Sequence, residues 1–307
     1  LNGATRTLYD ALLPHCSYRR LAVRLAYDWL RGSAALRPRL GRENWHYYWR
    51  YRQARFTCNV CGASGRPFFD FPDLKLRREH RIGELRETLQ CRHCRATMRH
   101  RTLAAGLLRV VSQRLGRPVA TIREAVAADM ADLRILDSDA LSPISALARS
   151  LPGYVISSFR PQRPFDVELE PRHYNVNLEQ MGFPSAQFDL VLTSDVMEHV
   201  RDVDAAHAEI ARVLVPGGVY VFTVPYDPEC AKQHLLVDTH GREDRFLVPP
   251  QYHGDPLSGG ILAYRVFGRA LFDDLAALGF MVEFLDVDAP ESLIVHGDVF
   301  IARKAAS

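Results

Sequence analysis

The chain has no run of about eighteen consecutive apolar residues, so no segment reads as a membrane-spanning helix. Its first stretch lacks the layout of a signal peptide, because Arg19, Arg20 and Arg24 interrupt the apolar run that would form its centre. A cytoplasmic protein is therefore expected. Lysine is nearly missing: Lys75, Lys232 and Lys304 are the only three, and arginine supplies the rest of the 39 basic residues. Cysteine is sparse too, six residues in all, and no internal repeat is detectable. What remains is ordinary for a globular protein, with 47% hydrophobic and 24% charged residues. A length of 307 residues accommodates one mid-sized α/β domain and a smaller module.

Charge is divided along the chain. Residues 1–110 hold 22 Lys and Arg against 8 Asp and Glu, whereas the remainder holds 17 against 28. Two readings follow. Either the basic front meets an anionic partner (nucleic acid, a phosphorylated substrate or, peripherally, a membrane surface), or it packs on the acidic back.

Leu8, Leu12, Leu21, Leu25 and Trp29 recur at helical spacing among arginines, and the stretch from Asn44 to Tyr51 interleaves aromatics with basic residues. The latter suits base stacking, a membrane interface or an aromatic helix packed on its own domain. Residues 1–56 are read as a basic helical region, 57–100 as a metal-binding module, and 101–307 as one α/β domain with an insertion over 225–267. Within the last unit, short apolar strands are expected at 133–137, 154–157, 188–193, 219–223, 280–286 and 298–302. Helices are expected at 98–115, 142–151, 202–214 and 269–278. Strands alternating with helices predict a doubly wound, largely parallel sheet of Rossmann-like type.

Four of the six cysteines form two C-x-x-C pairs, Cys58/Cys61 and Cys91/Cys94; Cys16 and Cys230 stand apart. Two such pairs without a secretion signal read as a metal site before a disulfide framework. Each pair forms a knuckle, and two knuckles give the four sulfurs of a closed, architectural zinc site. Gly62 supports the turn of the first.

The segment from Phe188 to Val200 reads FDLVLTSDVMEHV, and Arg212 to Gly218 reads RVLVPGG before an apolar strand. These residues resemble the fourth and fifth strand units of class I S-adenosylmethionine-dependent methyltransferases. Asn177 to Pro184 is similar to the family's adenine-contacting segment. The preceding zinc module also resembles that of bacterial sugar and polysaccharide-pathway methyltransferases. The resemblance implies S-adenosylmethionine as cofactor, held by Asp137, Ser138 and Asp139, Ser157 and Ser158, Asn177 and Leu178, and Thr193, Ser194 and Asp195. One departure stands out: the family's glycine-rich loop after the first strand is replaced by Ser138-Asp139-Ala140-Leu141-Ser142, without a glycine.

Methyl transfer to a hydroxyl needs alignment and a base. His199 and His253 are the candidate bases, with Glu198 beside the first. Asp195, Glu198 and His199 also resemble the E-x-x-E-H cluster of ubiquinone-pathway enzymes, which implies magnesium as a secondary reading. The polar 225–267 segment points to a polar, hydroxyl-rich acceptor such as a sugar, a glycan or a related small molecule, and an anionic one fits too. RNA methylation and a non-catalytic binding protein are the competing readings.

Overall fold

The computed structural model describes residues 51, 53–69, 85–241, 243–253 and 260–306. The expected basic helices and the aromatic–arginine stretch from Asn44 to Arg50 lie outside the described residues, as do Gly254, Asp255 and Pro256.

Strands β1 (Phe56–Thr57) and β2 (Ser64–Gly65) pair antiparallel around the first cysteine knuckle. Strands β3 (Phe68–Phe69) and β4 (Leu89–Gln90) pair likewise before the second, with the single turn α1 (Leu85–Thr88) leading into β4. Helix α2 (Met98–Leu115) starts directly after the second knuckle. The Thr97 hydroxyl accepts from the His100 N–H while His100 Nδ1 accepts from the Thr97 N–H, a reciprocal cap with histidine in place of the usual Glu or Gln. Gly116, at φ 66°, ends the helix in the left-handed region. Helix α3 (Ile122–Ala128) follows, capped by Thr121.

The α/β unit then runs β5 (Ile135–Asp137), α4 (Pro143–Ala148), β6 (Tyr154–Ser158), β7 (Val167–Glu170), β8 (His173–Asn175), β9 (Phe188–Ser194), α5 (Val203–Val213) and β10 (Leu214–Thr223). Three short antiparallel pairs occupy the insertion: β11 (His234–Leu235) with β16 (Arg265–Val266), β12 (Val237–Asp238) with β13 (Arg245–Phe246), and β14 (Tyr252–His253) with β15 (Ile261–Leu262). Helix α6 (Ala270–Ala277) leads to the hairpin of β17 (Phe280–Ala289) and β18 (Ile294–Lys304).

One eight-stranded sheet results, in the order β17-β18-β10-β9-β5-β6-β8-β7. The five strands β10, β9, β5, β6 and β8 are parallel; β18 and β7 run against their neighbours. From β5 the chain winds outward through β6 to β8, then returns to the other side of β5 as β9 and β10. The switch point of this doubly wound sheet therefore lies between β5 and β9.

The expected strands and helices are present, with longer bounds for β10 and the last hairpin and shorter ones for β5 and α4. The β7–β8 edge was not foreseen, because the residues of β7 are mostly exposed and offer no apolar run. Both faces of the centre are covered, which is why its strands read as continuous apolar stretches. Leu190, Leu192, Val219, Val221, Val299 and Ile301 face the core under α2, α3 and α4. Phe188, Val191, Tyr220, Phe222 and Phe300 face the core under α5 and α6. Cys58, Val60, Cys61, Leu89 and Cys91 belong to the first of these cores, so the cysteine module and the sheet share one interior.

Candidate functional site

The two knuckles are built alike. The Cys58 N–H donates to Ala63 O at 2.9 Å and the Gly62 N–H to Cys58 O at 2.7 Å. The Cys91 N–H donates to Ala96 O at 2.9 Å and the Arg95 N–H to Cys91 O at 3.0 Å. The fifth residue of each turn is left-handed, Gly62 at φ 78° and Arg95 at φ 62°. Arg95 sustains this backbone while its guanidinium lies 3.9 Å above the centre of the Phe68 ring. Cys58 and Cys94 sulfurs are 3.8 Å apart, as are those of Cys61 and Cys91, and all four lie within 4.8 Å of one another. Hydrogen bonding among the thiols pushes Cys58 up to about 12 and Cys91 down toward the thiolate. Four soft donors at these separations fit a tetrahedral ion such as zinc and leave no position for a substrate.

The module is tied to the sheet by polar contacts as well. Arg101, fully buried, donates to Ala96 O at 2.7 Å, Leu89 O at 3.2 Å, Ser292 O at 2.9 Å and Leu293 O at 3.1 Å. The first knuckle receives the Ile122 and Arg123 N–H groups on Asn59 O and Val60 O, at 2.9 and 3.0 Å, which satisfies the start of α3.

At the switch point, the tips of β5 and β9 carry an ionic network reaching in from this module. Arg99 of α2 donates to Ser194 Oγ at 2.6 Å, Ser194 O at 3.2 Å, Asp139 Oδ2 at 3.3 Å and Glu87 Oε1 at 2.8 Å. His100 Nε2 is 3.4 Å from Asp139 Oδ2. Arg86 of α1 grips both carboxylate oxygens of Asp195, one of them at 2.8 Å. Burial alone would raise the two acids facing Arg99; Arg99 and Arg86 instead hold Glu87, and His100 and Arg99 hold Asp139, below their ordinary values.

Asp137 is turned inward. Its carboxylate accepts from Tyr154 Oη and, at 2.9 Å, from the Asp139 N–H, and burial pushes it up to about 7. It shapes the loop whose next acid, Asp139, faces Arg99. Ser138 and Ser157 hydroxyls meet at 2.9 Å across the β5 and β6 tips. Ser158 Oγ pairs with His173 Nε2 at 2.7 Å. Thr193 is spent in the core, bonded to Tyr220 Oη at 2.7 Å. Asn177 holds its own turn by accepting the Glu179 N–H at 3.1 Å, and Leu178 is buried in the second core.

Beyond the β9 tip, Asp195 takes φ 52°, so no regular helix starts there; a single 3-10 turn covers Met197–His199. Asp195, Glu198 and His199 do not come together as the resemblance to an E-x-x-E-H cluster implies. Asp195 is committed to Arg86 and to Thr223 Oγ1 at 2.9 Å, and its place beside Glu198 and His199 is taken by His253 from the insertion. His253 Nδ1 is 3.2 Å from His199 Nε2, and Glu198 Oε1 is 3.9 Å from the first nitrogen and 3.8 Å from the second. The His199 Nδ1 lies 2.8 Å from Leu262 O. A carbonyl only accepts, so His199 carries a proton on Nδ1, and in the neutral ring the lone pair is on Nε2. The three side chains grade outward: Glu198 is 0% exposed, His199 8% and His253 28%.

All three candidates for acid–base work are thus assembled, although His253 lies 54 residues from His199. Arg86, Glu87, Arg99 and His100 were missed from sequence. Their one signal was position, immediately before and after the second cysteine pair, and it was lost among the many arginines of the front.

Residues 159–222 match a family model described as a methyltransferase domain, covering the chain from the end of β6 through β10. No curated protein matches the sequence. Among solved structures, the YcgJ protein of Bacillus subtilis is similar at 14% identity, with 68% of this chain and 100% of that one covered and a TM-score of 0.40. An amino pentose methyltransferase, CalS10 of Micromonospora echinaspora, is similar at 17% identity, with 65% and 90% covered and a TM-score of 0.39. A 1,6-didemethyltoxoflavin N1-methyltransferase of Burkholderia thailandensis reaches 18% identity, with 68% and 78% covered and a TM-score of 0.38. These likenesses are loose. The match to a methyltransferase domain over residues 159–222 is thus seated on a doubly wound sheet with polar groups gathered at its strand tips.

Proposed function

We propose that this enzyme methylates a hydroxyl of a polar acceptor, a sugar, a glycan or a related small molecule, and that Cys58, Cys61, Cys91 and Cys94 hold a structural zinc ion. The observation that carries the reading is the convergence of Glu198, His199 and His253 just beyond the β9 tip. With His199 Nε2 as acceptor, His253 donates from Nδ1, so in the neutral ring the basic nitrogen of this most exposed member of the three is Nε2. His253 takes the hydroxyl proton, and Glu198 stabilises the imidazolium that forms.

The strand tips suit the cofactor in two ways. Phe159 and Leu141, exposed at the carboxyl ends of β6 and β5, offer apolar surface for a purine ring, and Phe159 is stacked on Phe165 at 5.5 Å. The charged groups at the β5 and β9 tips suit an amino-acid tail. When bound, S-adenosylmethionine supplies a methyl group on a positively charged sulfur, ready for in-line displacement. The hairpins of the insertion bring Tyr252 and His253, Asp238 and Arg245, and His234 to one segment, which favours an acceptor rich in hydrogen-bonding groups over a flat apolar one.

The test is transfer of isotopically labelled methyl from S-adenosylmethionine to a panel of sugars, nucleotide sugars and glycans. Label in an alkali-stable ether is the expected result. Retention of bound cofactor with no transfer to any hydroxyl in the panel, but transfer to RNA, would overturn the acceptor class.

A further inference from the structure

The cysteine module reaches the switch point of the sheet with charged side chains, and a scaffold alone has no need of that. Helix α2 leaves the second knuckle and within five residues delivers Arg99 between the tips of β5 and β9. There Arg99 touches Asp139 after β5 and Ser194 at the end of β9, so one guanidinium bridges the two strands that bound the crevice. Arg99 and Asp139 are 17% and 18% exposed, side by side and opposite in charge.

The loop that carries Asp139 has no glycine between Ser138 and Ser142. Without glycine the backbone cannot approach a ligand as closely, because each residue interposes a Cβ. Side chains have to make the contact instead. An α-amino acid presents one ammonium and one carboxylate on a single carbon, the mirror of a guanidinium beside a carboxylate. Arg86, Arg99, Glu87, Asp139 and Asp195 together carry one net negative charge, and S-adenosylmethionine, with its zwitterionic tail and sulfonium, carries one net positive charge.

We propose that the cysteine module is part of the cofactor site: Arg99 binds the carboxylate, and Asp139 the ammonium, of the methionine end of S-adenosylmethionine. This inference rests on the methyltransferase reading. The bonds of Arg99 to Ser194 keep it at the crevice while its partner acid turns to the ligand. His100, reaching Asp139 from the next position on α2, holds that acid at the tip of β5.

The experiment is calorimetric binding to the full, zinc-loaded chain with two ligands. S-Adenosylhomocysteine carries the amino-acid tail; 5′-methylthioadenosine has the same nucleoside and thioether without either charged group. The native protein should prefer the first by about 100-fold or more. Arg99→Met should weaken S-adenosylhomocysteine by about 30-fold or more and leave 5′-methylthioadenosine within about twofold, and Asp139→Asn should show the same pattern. Arg99→Lys, which keeps a cation, should recover part of the preference and serves if the methionine variant does not fold. Equal losses on both ligands, or no loss on either, overturn the assignment. If the native protein binds both ligands equally, only the clamp fails; if it binds neither, the methyltransferase reading fails with it.

Discussion

The Nε2 nitrogen of His253 is the one on which proton removal should depend. His253→Ala should lower kcat by about 100-fold to 10,000-fold while the dissociation constant of S-adenosylhomocysteine stays unchanged. Single-turnover rates with a labelled donor, read beside calorimetry, check both halves. A second histidine gives a stability prediction. His207 is buried in the second core between Tyr220, Phe222 and Phe267, and burial pushes it down to about 4. Unfolding returns it to about 6.5, so between these values the unfolded chain binds more protons and stability falls as pH falls. Asp137, raised to about 7 by burial, contributes the opposite slope between about 4 and 7, so only the difference between parent and variant is diagnostic. His207→Leu should gain about 3 kcal/mol relative to the parent on going from pH 7 to pH 4, measured by urea unfolding. At this scale the sequence was partly legible. The titrating types at 198, 199 and 253 stood out, but their meeting depends on an insertion whose path no periodicity encodes. Arg99 was hidden for another reason: in so arginine-rich a front, residue type discriminates nothing.

Elements carry their own test in Arg101. From the first turn of α2 it holds the carbonyls of Leu89 and Ala96 at the second knuckle and those of Ser292 and Leu293 before β18. Arg101→Met keeps the length of the side chain but leaves these buried acceptors without their donor. It should destabilise the fold by about 3 kcal/mol or more, measured by urea unfolding at neutral pH. Strands β9 and β10 were legible because both of their faces are covered, so that apolar residues run without interruption. Helices α2 and α5 were legible from their periodicity and caps. The turn after β9 was not. A helix-like spacing of Asp195, Glu198 and His199 gave no hint that Asp195 would adopt a positive φ and face another partner. The second knuckle holds a similar lesson, since a left-handed position occupied by arginine is invisible to a search for glycine.

The whole molecule is predicted to lose its metal and its fold together. Cysteine residues and strand residues lie in one continuous core, so chelation should not release a floppy appendage from an intact sheet. Zinc removal by a strong chelator should instead lower the thermal midpoint of the entire α/β unit, followed by near-ultraviolet circular dichroism. A sheet that melts unchanged after metal loss counts against a shared interior. Doubly wound topology and a cluster of four cysteines were both readable from spacing alone, because alternation and paired thiols are local signals. How the two units fit together was not, since it depends on charges that approach one another only after folding.

The residues separating the two cysteine pairs also act as a reach. Just ahead of the second knuckle, α1 carries Arg86, which closes on Asp195. Removing α1 would leave all four cysteines in the sequence and still draw an arginine away from the far end of β9. Anyone grafting this module onto another scaffold, or shortening it for convenience, should look for the damage at the strand tips and not at the thiols.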